Sequence, residues 1–516
     1  MGNRLALIFL LVAAVAAVAN PAAAADKNMV FASPYGITTL DPSVSYSTEL
    51  TYMANIYETL IRVNPPGSKE RFSYLLATGF SASDDGLKYT FNLRKGVKFH
   101  DGTPFTAEAV KYSVERTTAL GKGAAFIWGD LASIDIVDDY TVAFVMKQAV
   151  PLPLIAASAY ASYILSPSMK DKDTAWFDQG HACGTGPYML KNYKDGESWM
   201  LAKFDDYWGG WEGPHVENVL VKYTKEALIQ QQMLQSGQAA MVGRIPLDSY
   251  PAVKSGKDTT VVYGPSYQNY MAFFNTTRPP LDNVKVRKAL AHAIPYKDII
   301  DIGFNGMATQ ARGPVPKGQF GYSEKVVQYN YDLGKAKKLL TEAGFPNGGF
   351  KLTLTYAAEN PQEARFAPLI QSEFKKIGID VEIKALVWTS QWSQAKADPK
   401  NAQDIFLLLW WPTYSDPYET LFSLLHDEGD KPAWNLAYYK NPAYDELIRQ
   451  AYETTGSQPE KALELYVKAQ NLIQADCPVA WLVDIVGNWP ASRRLKGLTI
   501  NPAYPNVPFF YDMHLE

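Results

Sequence analysis

The sequence predicts an α/β protein of at least two lobes, and three observations carry that expectation. At 516 residues the chain is longer than a single hydrophobic core usually serves. Its N-terminal half is rich in short strands with helices between them: Met29 to Ala32, Tyr89 to Leu93, Thr141 to Met146, Trp199 to Ala202 and Val219 to Tyr223. Its second half turns to strand, helix, strand. Phe350 to Tyr356 is a strand, and a helix from about Pro361 puts Phe366, Leu369, Ile370, Phe374 and Ile377 on one face before Gly378 ends it. Asp380 to Leu386 and the continuously apolar Asp404 to Trp410 follow as strands. Buried runs flanking a helix imply a largely parallel, helix-covered sheet.

The chain opens with Arg4, an apolar run over residues 5–18 and Ala23-Ala24-Ala25 before Asp26. That order reads as a signal peptide over residues 1–25, cleaved on export. No Cys follows the run, so the lipid-anchored form is not expected. A periplasmic location is. Later apolar stretches such as Ile405 to Trp411 have strand length, too short to span a bilayer. The net charge is −4, with no basic block, which argues against a nucleic acid or an anionic membrane as partner. The two cysteines, Cys183 and Cys477, fit either one disulfide or two separate buried thiols.

Enzymatic chemistry finds little support. The six histidines include no His-x-x-x-His pair and there is no Cys-x-x-Cys, so no metal site is expected. His100-Asp101 reads as turn chemistry. Gly184-x-Gly186 lacks the Lys-Ser/Thr of a phosphate loop and reads as a tight turn into a strand. No Gly-x-Ser-x-Gly elbow occurs. Neither a catalytic residue nor a cofactor is expected.

Residues 80–116 are the most informative stretch. Asp84-Asp85-Gly86 is a turn; Tyr89, Phe91 and Leu93 alternate as in a strand; after a turn at Lys95-Gly96, Val97 and Phe99 continue the alternation. Asp101-Gly102-Thr103-Pro104 closes the hairpin, and Thr106 is a candidate N-cap for a helix from Ala107 to Arg116. This stretch resembles the peptide/opine/nickel family (family 5) of extracytoplasmic solute-binding proteins of ABC importers. Further segments resemble the same family in the same order: Gly184 to Tyr188, Phe204 to Gly210, Phe273 to Thr276 with Asp282 to Ile294, Asp332 to Gly344, and Asn441 to Asp445.

The resemblance implies a two-lobed periplasmic binding protein fold with an extra subdomain in lobe one (class II, cluster C type). Lobe one would comprise residues 26–65, 183–280 and 488–516, its subdomain residues 66–182, and lobe two residues 281–487. The chain would cross between lobes near Asn275 to Asp282 and return near Asp484 to Trp489. The function implied is the substrate-binding component of an ABC importer. It would be a monomer that closes over a peptide-like or other small polar solute and delivers it to a membrane permease and ATPase complex. An oligosaccharide- or opine-binding receptor, or a chemosensory receptor without transport, remains open.

Twelve Trp and 32 Tyr supply aromatic surface. Trp410, Trp411, Thr413, Tyr414 and Asp416 lie where a buried strand gives way to a loop, the position that lines ligand crevices in α/β sheets. Flat amphipathic rings there suit sugar rings, peptide planes or cations. In relatives that bind free peptides this loop carries an Asp that pairs with the ligand's α-ammonium group; the matching position here is Thr413, which carries no charge. Trp388, Tyr35, Gln268 and Asn269 complete the candidate ligand-binding set.

Overall fold

The computed structural model describes residues 27–427 and 434–516; the expected signal peptide lies outside the described residues. Three principal sheets organise the chain. The first has seven strands in the order Thr259–Gly264, Gly487–Ser492, Met241–Val242, Asn28–Ser33, Asn218–Tyr223, Ser198–Lys203 and Tyr188–Lys194. The second has six: Ala308–Gln310, Val479–Ile485, Asn269–Phe274, Ile405–Trp410, Lys351–Ala357 and Asp380–Leu386. A four-stranded antiparallel sheet is built from Ala77–Ala82, Lys88–Leu93, Thr141–Met146 and Leu131–Asp138.

Two-residue periodicity explains how the second sheet is buried on both faces. Tyr270, Ala272 and Phe274 point into one core, beside Ile405 and Leu407 and the helices Val284–Ala293, Leu333–Glu342 and Pro361–Lys375. Met271 and Phe273 point into the other, with Phe406, Leu408 and Trp410, against Pro417–Leu425, Pro442–Thr455 and Pro459–Asp476. Side chains start these helices cleanly. Asn283, Asp332, Asn360, Asp416 and Asn441 each accept a backbone N–H in the first turn, and three of these helices carry Pro immediately after the cap.

The second sheet is less parallel than expected. Lys351–Ala357 runs parallel to both Asp380–Leu386 and Ile405–Trp410, but Asn269–Phe274 is antiparallel to both of its neighbours. That strand also moves the expected crossing. It is buried throughout and hydrogen-bonded between Ile405–Trp410 and Val479–Ile485, so the chain enters the second sheet by Asn269, not near Asn275 to Asp282. The outward connection is residues 265–268; on the return only Val486 separates Ile485 from Gly487.

The hairpin also differs. Lys88–Leu93 pairs with Ala77–Ala82 across the Asp84-Asp85-Gly86 turn, whereas Val97 and Phe99 form no strand. The Asp101-Gly102 turn folds back at once, with the Phe99 N–H bonded to Thr103 O, and the two side chains bury as anchors of a compact loop. Thr106 sits at the N-cap position of Ala107–Leu120 with extended backbone, but its hydroxyl makes no capping bond. Arg116 on this helix forms a bidentate pair with fully buried Asp41 at 2.6 and 2.7 Å, and Thr174 adds a bond at 2.9 Å.

Cys183 and Cys477 are both free and buried, in different cores, so no disulfide joins them. Burial pushes the Cys183 thiol up to about 12 and the Cys477 thiol up to about 11, which removes the reactive thiolate. A thiol reagent should therefore label neither in the folded protein and both in denaturant; labelling of either under native conditions would contradict the burial. Arg116→Ala, which strands a buried carboxylate, should lower the unfolding free energy by about 3–5 kcal/mol in denaturant titrations. Arg449→Ala, at a surface pair with Glu446 and Glu453, should cost below about 1 kcal/mol.

Candidate functional site

The three parallel strands of the second sheet all end at one cleft. Ala357 closes the first, Trp388 follows the second at the start of the helix Trp388–Ala397, and Trp410 and Trp411 close the third. Opposite them stand residues of the first lobe: Tyr35, Tyr46, Ser47, Thr48, Arg244 and Asn488. Two adjoining compartments of about 320 and 410 Å³ share Ala357, Asn360, Trp388, Leu409 and Trp411. The smaller is walled by tryptophans. Trp388 stacks on Trp392 at 5.6 Å, Trp392 meets Trp434 at 4.2 Å, and Trp434 meets Trp410 edge-on at 5.2 Å.

Five of the residues expected from the sequence line this cleft: Trp388, Trp410, Trp411, Tyr35 and Gln268. The other four do not. The Thr413 hydroxyl is engaged with Tyr46 OH at 2.8 Å and donates to Glu419 Oε1 at 2.9 Å, while Thr413 O accepts from Ser158 Oγ at 2.8 Å. Tyr414 is buried with the core of the first lobe. Asp416, fully buried, caps the helix Pro417–Leu425 and accepts from Tyr466 OH. Asn269 is 1 % exposed and donates its side-chain NH2 to Pro314 O. The loop thus divides: its two tryptophans face the cleft, and the three residues beyond Pro412 fasten it to the surrounding protein.

Sequence reasoning missed Glu363, Arg244, Asn360 and Tyr46. Glu363 had a readable signal, because it lies three residues before Phe366 on the apolar face of its helix. Arg244 and Tyr46 lie outside helices and strands, and no periodicity points to them.

Three of the segments that carried the family resemblance, around His100, Gly184 to Tyr188 and Phe204 to Gly210, meet elsewhere. Glu58, buried in the first lobe, accepts from Thr185, Tyr207 and Trp208 at 2.8 to 3.1 Å. Gly184 and Gly186 pass so close to the end of Leu50–Ile56 that an added Cβ would sit 2.1 Å from Ile56 O and 2.7 Å from Asn55 O respectively. His100, held neutral by burial with its pKa near 4, bonds Gly186 O at 2.9 Å. These segments build the lobe; they do not face the cleft.

Two lobes joined by two short connections around an aromatic cleft define a solute-binding protein of the hinge-closing kind. A sequence profile for bacterial extracellular solute-binding proteins, family 5 (middle) matches residues 71–432, and the chain belongs to that family. It is 30 % identical over 478 residues to the probable D,D-dipeptide-binding periplasmic protein DdpA of Escherichia coli K12, covering 91 % of this chain and 90 % of that protein. It is 30 % identical over 502 residues to the glutathione-binding protein GsiB of Salmonella choleraesuis, covering 96 % and 95 %. Among solved structures, the ABC transporter-associated periplasmic binding protein DppA of Helicobacter pylori, in complex with peptide STSA, superposes with a TM-score of 0.80 at 28 % identity, covering 95 % and 98 %. The chain is the periplasmic substrate-binding component of an ABC importer and not an enzyme; it hands its solute to the permease and ATPase complex. Among the described residues no helix is long and apolar enough to cross a membrane.

Six buried carboxyl groups are raised by burial: Glu363 and Glu419 to about 8, Glu58 and Asp484 to about 7, Asp416 to about 6, and Asp404 above its ordinary value. In the unfolded chain each ionises near pH ~4. The stability that the first five contribute is complete below that value and is lost as pH rises through 6 to 8. His100 and His292, both lowered, act in the opposite sense only below about pH 6.5. The calorimetric midpoint should therefore fall between about pH 6.5 and 8.5; a rise would contradict these burials.

Proposed function

We propose that the cleft captures a peptide-like solute, or another small polar solute of similar size, by closing the two lobes over it. The observation that carries this reading is the composition of the cleft walls. One is built from strand ends of the second sheet and the other from the first lobe, so a solute touching both gains contacts available only when they meet. The ligands named for the relatives, a D,D-dipeptide, glutathione and peptide STSA, support a peptide-like solute. The tryptophan wall also suits sugar rings and opines, which form the counter-arm of the test.

Lobe one is taken as residues 26 to about 264 with about 487–516, its subdomain as residues 66–182, and lobe two as residues 269–485; sheet membership supports this division. Residues 1–25 act as a signal peptide that is removed, and the mature protein carries no lipid anchor. The apolar run, the Ala23-Ala24-Ala25 site and the lack of a Cys after it support that reading.

Small-angle scattering with panels of free peptides, N-blocked peptides, oligosaccharides and opines should show compaction with a member of the peptide panels. Compaction with none, or tight binding without compaction, would refute the closure mechanism. Trp411→Ala should weaken the bound solute at least ~10-fold in calorimetry. Thr413→Val should act mainly on stability, costing about 1–3 kcal/mol by leaving Tyr46 and Glu419 without their partner. A larger effect of Thr413→Val on affinity than of Trp411→Ala would reverse the assignment.

A further inference from the structure

The smaller compartment of the cleft holds a buried acid that no cation of a described residue answers. Glu363 lines it among Tyr46, Trp388, Trp410, Trp411 and Trp434. The residue is 1 % exposed. Its Oε2 accepts the Ala357 N–H at 3.0 Å, and Oε1 makes no hydrogen bond to a described residue. Among the described residues no Lys, Arg or His forms an ion pair with it, and burial raises its pKa. A buried carboxylate without a cation is costly when ionised, and it is relieved when a positive charge enters beside it. The walls of the compartment are the side chains best suited to hold such a charge, since the faces of tryptophan rings attract cations.

The geometry points to a cation compartment: the solute carries an ammonium group that seats against the tryptophan faces with Glu363 as its counter-ion. This rests on the reading of the cleft as the solute site and adds the chemistry of one end of the ligand. It also gives a role to an acid on the helix Pro361–Lys375, whereas the loop position Thr413 is spent on Tyr46 and Glu419. The adjoining compartment is complementary. Arg244 lines it and makes no salt bridge to a described residue; Glu359 also lines it, with its carboxylate engaged on the Trp388 N–H at 3.1 and 3.2 Å. A solute that is positive at one end and anionic or polar at the other matches both compartments.

The test uses a pair of probes that differ only in charge: choline and its uncharged analogue, in which the quaternary nitrogen is replaced by carbon. In calorimetric titration of the full mature protein, choline should bind at least ~10-fold more tightly than the analogue. Glu363→Gln, which keeps the shape and an oxygen for the Ala357 N–H, should abolish that preference. Trp388→Leu, which keeps the apolar contact and removes the ring face, should reduce it several-fold. Should Glu363→Gln fail to fold, the Trp388→Leu result decides. Equal binding of the two probes, binding of neither, or an unchanged preference in the variant that folds would overturn the proposal. If a panel peptide compacts the protein while the two probes bind equally, the receptor reading stands and the cation compartment falls.

Discussion

The junction at Thr413 is the constraint around which the rest of the cleft is arranged. One hydroxyl joins Tyr46 of the first lobe to Glu419 of the second, and the same residue's carbonyl takes a bond from Ser158. All of these groups are largely buried, so each bond lost would leave a polar atom stranded. Fixing Thr413 there fixes what lies on either side of it. Tyr414 must enter the core of the first lobe and Asp416 must begin the next helix, while Trp410 and Trp411 are left facing the cleft. A carboxylate at position 413 would share the dry site with the buried acid Glu419, and the two could not both ionise there.

Much of this was legible in the sequence, for reasons that can be named. The strand Ile405–Trp410 was readable because its apolar run is short and ends in a Pro-containing loop, and the aromatic pair at its end was readable because parallel strands present their carboxyl ends to ligands. The helix Pro442–Thr455 was readable because Asn441 caps it and Pro442 is suited to its first turn. What was not legible depends on contacts distant in sequence. The run Asn269–Phe274 says that it is buried, but not which sheet will bury it, and the expected crossing was misplaced for that reason. Asp416 looks like a ligand-facing acid until the helix it caps is seen. Val97 and Phe99 alternate like strand residues, yet the turn at Asp101-Gly102 comes too soon for a ladder to form.

The segments most typical of the family and the segments that select a solute are different sets. Glycines 184 and 186, Tyr207 and Trp208 gather around Glu58, where close backbone approach and a fully bonded carboxylate hold the first lobe together. In the proposed reading specificity falls instead to Trp388, Trp411, Glu363 and Arg244, which line the cleft between the two lobes. A fold can thus be recognised from the residues that build it, while the solute has to be argued from the residues of the site.

The central claim is that the solute sits between the two sheets and touches both. Hydrogen–deuterium exchange, with and without a solute that the protein binds tightly, tests it most directly. Protection is expected together in residues 357–363 and 407–411 of the second lobe, in residues 243–250 of the first, and in the crossing residues 485–488. Protection confined to one lobe, or centred on the Glu58 cavity, would contradict it.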